Sequence, residues 1–177
     1  AEHPDMNLVN IGSVHIEPLA IYSHKVKDLS ELKAGDTISL PNDAVNAGRS
    51  LYLAQQAGLI KLNASVSVNN ATVQDIIDNP KHIKFKEVDA AQVSRTLDDV
   101  AAAIINTNFA LEAGMFPPKD ALLIESKENT KTVADSVVIR AGDENRPEIQ
   151  ALMKVLHSDA IRQFIEEKYK GAIEPAF

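Results

Sequence analysis

Thr37-Ile38-Ser39-Leu40-Pro41-Asn42-Asp43-Ala44-Val45-Asn46-Ala47-Gly48-Arg49 is the stretch on which the fold turns. Its first four residues form an apolar run fit for a buried strand, and Pro41 ends it. A polar turn follows, and a helix opens near Asp43, whose carboxylate can cap the free N–H groups of the first turn. Such an opening aims N–H dipoles outward and suits an anion. Arg49, within the first two turns, adds a planar positive fork that matches a carboxylate. The helix is expected to run to about Ala57, to bury Val45, Ala47, Leu51 and Ala54, and to stop at Gly58.

Working outward, a second apolar run, Ala101–Ile105, fits a strand buried on both faces. It ends in Asn106-Thr107-Asn108, from which a helix continues to Glu112 and stops at Gly114. Between the two runs, Leu59–Leu62 and Val66–Val68 are short apolar pieces. Thr72 caps a short helix over Val73–Asp78, which Asn79-Pro80 ends. His82–Val88 alternates as a strand does, and Asp89 opens a helix to about Leu97. Upstream, Asn7–Ser13 and Val14–Ser23 are two extended segments, and Pro18 argues against a central strand there. Downstream, strands over Ala121–Glu125 and Asp135–Arg140 are joined by the polar loop Ser126–Thr132. Helices over Pro147–His157 and from Ser158 to about Tyr169 follow, then a tail from Gly171. Strands alternating with helices predict an α/β architecture with a largely parallel sheet.

With 177 residues, 45% of them hydrophobic, the chain can build one large domain or two small lobes. A net charge of −7 with scattered lysines argues against nucleic acid, which needs a basic patch. The absence of cysteine excludes disulfides, thiolate chemistry and Cys-based zinc sites. No run approaches the length of a membrane span. The opening Ala1-Glu2-His3-Pro4 is expected to belong to a mature, processed or truncated product.

Both apolar strands end in asparagine-bearing turns that open helices. In open α/β sheets, ligands bind beyond the carboxyl ends of the strands. Asn42, Asn46, Asn106 and Asn108 are therefore expected at one rim, where amide donors and acceptors together suit a zwitterion. The plainer alternative is that each asparagine only caps its helix. No enzyme constellation stands out: there is no Gly-x-Ser-x-Gly elbow, phosphate loop or dinucleotide fingerprint. Of His3, His15, His24, His82 and His157, no two form a metal-ligand pair at helical spacing. His15 and Glu17 share a face of an extended segment, but no third ligand is visible, so neither a metal nor a cofactor is expected.

These residues also carry a resemblance. Pro41-Asn42-Asp43 with Asn46 and Gly48-Arg49-Ser50-Leu51 resembles the methionine-binding lipoproteins of the NLPA family, as does Gly58-Leu59-Ile60-Lys61-Leu62. Asp75-Ile76 with Asn79-Pro80-Lys81 and the stretch Ala103–Ala110 fit the same family, and His15–Ser23 fits it just upstream. The resemblance implies a periplasmic-binding-protein-like fold of type II, with mainly parallel sheets in two lobes that clamp an amino acid. One lobe, residues 33–105, would be nearly complete, and the other, residues 1–32 and 106–177, partial. It further implies capture of L-methionine or a related amino acid and its delivery to the membrane subunits of an ABC importer. The location implied is the periplasm or the outer face of the cell membrane, through a lipid anchor outside this sequence.

By the same resemblance Arg49 matches the arginine that pairs with the ligand carboxylate, and Asn106 the asparagine that contacts the ligand backbone. Asn46 joins this set from the rim. Arg49→Ala is expected to remove most amino-acid binding at an unchanged melting temperature of the unliganded protein. Two departures are visible. Asp135 stands where the family places a second ligand-contacting asparagine, which would favour an ammonium. The family's N-terminal stretch before Asn7 is absent from this sequence, so the partial lobe is expected to expose apolar strands that a partner chain could cover. The rival reading is a surface-exposed interaction protein that kept the scaffold without the pocket.

Overall fold

A strand buried on both faces must be covered on both sides, and the two apolar runs at 37–40 and 101–105 form such strands side by side in one sheet. The computed structural model describes residues 6–130 and 133–177. The strands are β1 (Leu8–Ile16), β2 (Leu19–Tyr22), β3 (Thr37–Pro41), β4 (Lys61–Leu62), β5 (Ile76–Asp78), β6 (Lys84–Val88), β7 (Ala102–Asn106), β8 (Leu123–Ile124), β9 (Asp135–Arg140) and β10 (Glu174–Pro175). The helices are α1 (Ala44–Gln56), α2 (Ala90–Val93), α3 (Thr107–Glu112), α4 (Pro117–Asp120), α5 (Lys127–Thr130), α6 (Pro147–Leu156) and α7 (Asp159–Tyr169). They group into two units, Pro18–Thr130 and the residues before and after it.

The Pro18–Thr130 unit is built on a five-stranded sheet ordered β6-β3-β7-β2-β8. Side chains alternate along its central strands. Leu19, Ile21, Ile38, Leu40 and Ile104 pack on one face with Leu51 and Leu53 of α1. Ala20, Tyr22, Ala103 and Ile105 pack on the other with Val93, Leu97 and Val100. Gly48 lets α1 lie close to the following loop, because a Cβ there would collide with the Val68 carbonyl oxygen. The expectation of mainly parallel sheets holds for β6-β3-β7 only. β2 runs antiparallel to both β7 and β8. β2 and β8, which lie outside the expected lobe of residues 33–105, pair within this sheet. The compact unit that holds it runs from Pro18 to Thr130.

Pro18 does not keep its segment at an edge. It stands just before β2, which is central and wholly buried, and a proline at that position removes no ladder bond from the strand itself. The helix expected over Val73–Asp78 is a single 3-10 turn, Val73–Asp75, capped reciprocally by Thr72 and Asp75. The next three residues form β5, because pairing with β4 outweighs a short helix with a proline behind it. The polar loop over 126–132 holds α5, and its last two residues lie outside the described residues.

The other unit is a three-stranded antiparallel sheet, β10-β1-β9, with α6 and α7. β1 is one long strand passing through Gly12, not two segments. The expected tail contributes β10. Phe177 stacks on His157 with ring centroids 4.9 Å apart and takes a hydrogen bond from Arg162 at its carbonyl. Among the described residues, no helix is long and apolar enough to cross a membrane.

Candidate functional site

The rim expected at the carboxyl ends of β3 and β7 exists in the Pro18–Thr130 unit. The two strands are parallel neighbours, with Ile38 beside Ala102 and Ser39 beside Ala103. Their ends, and the turns that open α1 and α3, therefore face the same way. Asp43 caps α1 as expected, accepting from the Asn46 N–H at 3.0 Å.

Arg49 is at this rim but is not an idle cation. It is 6% exposed. Its guanidinium makes a two-pronged pair with Glu125, Nε to Oε1 at 3.2 Å and Nη2 to Oε2 at 2.6 Å. Glu125 is fully buried at its side chain and also accepts from the Leu19 N–H at 3.0 Å. The pair ties α1 to the start of β2 and the end of β8. Asn46 completes the row: its amide nitrogen donates to both Asp43 oxygens, at 3.1 and 3.0 Å, and its oxygen accepts from Arg49 Nη1 at 3.1 Å. Asn46 thus holds Arg49 in place. A carboxylate arriving at Arg49 must share it with Glu125 or displace it. Removing Arg49 strands a buried carboxylate, so the unchanged melting temperature expected for Arg49→Ala does not follow from this arrangement.

Sequence reading missed Glu125. The available signal was an acidic residue closing the apolar run Ala121–Ile124, since a carboxylate at the end of a buried strand needs a cation. Which arginine supplies it is a matter of topology, and these residues are far apart in sequence.

Asn106 is different. It occupies the N-cap position of α3 but its side chain makes no capping bond. Its Oδ1 is buried and without a hydrogen-bond partner. Asn106 is also the register partner of Leu19, whose N–H binds Glu125. The unsatisfied amide and the Arg49–Glu125 pair are therefore connected through one residue of β2. The plain capping alternative fails for Asn106, whereas Asp43 caps α1. A second orphan, the buried Tyr22 hydroxyl, has its pKa pushed well above the ordinary tyrosine range by burial and, less, by the nearby Asp120 charge.

Asp135 lies in the other unit, at the start of β9 and directly opposite His15 of β1. His15 Nε2 is 3.1 Å from Glu17 Oε1 and 3.4 Å from Asp135 Oδ2. The hydrogen bond to Glu17 raises the His15 pKa; burial opposes this, and the charges of Asp135 and Glu17 add to it. Strand pairing brings Asp135, a third side chain of metal-ligating type, beside His15 and Glu17. His15 and Glu17 also line a cleft of about 210 Å³ walled by Val14, Ile161, Phe164 and Tyr169.

Comparison with known proteins places this geometry. The NlpA lipoprotein family model matches residues 1–177. The chain belongs to the NlpA lipoprotein family. It is 42% identical over 176 residues to the methionine-binding lipoprotein MetQ of Bacillus subtilis, covering 98% of this chain and 64% of that protein. It is 37% identical over 166 residues to the D-methionine-binding lipoprotein MetQ of Escherichia coli, covering 93% of this chain and 60% of that one. The structure of a nutrient-binding protein from Burkholderia cenocepacia bound to methionine superposes with a TM-score of 0.91 at 40% identity, covering 99% of this chain and 73% of that chain. This chain therefore spans less than two thirds of the length of the first two relatives. The fold is the α/β fold of these binding proteins, and the names of the three describe binding, not catalysis.

Proposed function

We propose that this chain is part of an extracytoplasmic substrate-binding protein that captures L-methionine or a related amino acid for ABC-type import. One observation carries the reading: the buried, unpartnered Oδ1 of Asn106 at the carboxyl end of β7. An unmet buried acceptor costs roughly 1–3 kcal/mol, a cost that a ligand ammonium or amide donor would remove. In this reading Asn106 accepts from the ligand backbone, and Arg49, steadied by Asn46, meets the ligand carboxylate as Glu125 yields part of its hold. Membership of a lipoprotein family, and relatives named for methionine, support the ligand class, a lipid-anchored location outside the cytoplasm and an importer as partner.

Differential scanning calorimetry with L-methionine, D-methionine and L-alanine tests it. A ligand at 100-fold over its Kd adds about 2.7 kcal/mol of apparent stability. A methionine-dependent rise in Tm, absent with alanine, is the expected result. The second reading, a scaffold without a working pocket, is favoured by the Arg49–Glu125 pair, which already neutralises the cation. No shift at millimolar methionine would select that reading.

A further inference from the structure

We propose that His15, Glu17 and Asp135 form a binding site for a divalent transition-metal ion, zinc above all. The three side chains converge for reasons set by the backbone. The β1–β9 pairing puts His15 opposite Asp135, and a register irregularity between Ser13 and His15 re-aims the strand at that point. Glu17, two residues on from His15 in extended chain, returns to the same side. One ligand atom from each residue lies within 4.8 Å of the others. The closer separations are 3.1 and 3.4 Å. Ligand atoms about 2.1 Å from a shared zinc ion, at tetrahedral to octahedral angles, stand roughly 3.0–3.4 Å apart. Two of the three separations already match the spacing that an ion would impose, and the third, between Glu17 and Asp135, lies within 4.8 Å.

The donor set selects the metal. One imidazole nitrogen and two carboxylate oxygens, with no sulfur, suit Zn²⁺ or Mn²⁺ over Cu⁺. Calcium and magnesium take oxygen ligands, and the imidazole disfavours them. Three protein ligands leave a coordination position open to water or to a small molecule. His15 and Glu17 reach the cleft beside them, which gives an ion its way in.

Calorimetric titration of ZnCl₂ into untagged, EDTA-stripped protein, without amino acid, tests the assignment. The expected result is one equivalent bound with a micromolar or tighter Kd. Loss of even an outer-shell partner weakens a metal site by about 10–100-fold, so His15→Ala and Asp135→Asn should each weaken zinc by about tenfold or more. Far-UV circular dichroism in EDTA verifies that each variant is folded, and Glu17→Gln serves as a third probe. In the NMR spectrum of the parent, zinc should shift the His15 ring nitrogens and leave those of His24 and His82 in place. Absence of binding at millimolar zinc overturns the proposal, as does binding that survives both His15→Ala and Asp135→Asn. Methionine titrations run in EDTA separate this result from the amino-acid reading, because His15 has no part in that site.

Discussion

The two units of this chain bury their apolar side chains very unequally. The Pro18–Thr130 unit covers both faces of its sheet: Leu19, Ile21, Ile38, Leu40, Ile104 and Ile105 are all inaccessible to solvent. The other unit buries Ile165, Ala172 and Ile173, while Leu8, Val138, Leu152, Val155 and Phe164 remain exposed, Phe164 to 51%. Hydrophobic stabilisation follows the apolar area removed from water. The difference teaches that one fold can divide its tasks. One unit is stiffened by its own core and can hold an unsatisfied amide at its rim. The other draws less from its interior and brings charged groups together by strand pairing.

The largest expected effect lies in the closed unit. Arg49→Ala leaves Glu125 buried and unpaired, and truncating one side of such a pair costs about 3–5 kcal/mol. Urea unfolding should show that loss. The double variant Arg49→Met/Glu125→Leu should lose far less, because no charge is then stranded. Equal losses in the single and double variants would mean that packing, not charge, is what matters there.

Next comes a paired truncation, one in each unit. Ile104→Ala removes a fully buried side chain and should cost about 2–5 kcal/mol. Val155→Ala, at an exposed position of α6, should stay within about 0.5 kcal/mol. Similar values from both, measured by chemical denaturation, would erase the contrast between the units.

Much of the closed unit was legible in the sequence. The run at 37–40, the Asp43 cap and the wholly apolar run before Asn106 each coincide with the elements found to within a residue. Local chemistry decides such features: apolar continuity, capping geometry and the stop at Gly58. What was not legible depends on pairing between distant segments. No local signal says that β2 enters the sheet antiparallel, that Glu125 meets Arg49 or that Asp135 faces His15. The cap at Asp43 could be foreseen; that Asn106 declines the same task could not, because the cost of its idle oxygen appears only once burial is known. The exposed apolar side chains of the other unit look in sequence like any core face of a strand or helix.

Gly48→Ala is the next smaller effect. Alanine favours a helix, yet its methyl group would strike the Val68 carbonyl, so a net loss of about 1–3 kcal/mol is expected. A gain in Tm would show that the loop moves aside freely and that the closed unit is less tightly packed than described.

Tyr22→Phe should be the smallest, and of opposite sign. It removes a buried hydroxyl without a partner and should be neutral or stabilising by up to about 1 kcal/mol near pH 7. Its pH dependence has a definite sign. The folded state holds the Tyr22 proton above its ordinary pKa of about 10, where the unfolded chain has lost it. Ionisation of Tyr22 therefore leaves stability unaffected below about pH 10 and lowers it as pH rises beyond that. The parent should therefore lose stability faster than Tyr22→Phe above pH 10, and parallel curves would show that the hydroxyl ionises freely in the folded protein.

Asn106 gives the most direct measurement. In the account above it is the rim residue whose buried oxygen awaits a ligand donor, so Asn106→Ala should leave the unliganded Tm within about a degree while weakening methionine binding by tenfold or more, in keeping with a charge-assisted hydrogen bond worth about 1.5–3 kcal/mol. Isothermal titration of L-methionine into parent and variant, with Tm measured on the same samples, reads both quantities. Binding of methionine by the parent with equal affinity in the variant would contradict the role given to Asn106. No binding by the parent would contradict the amino-acid reading itself.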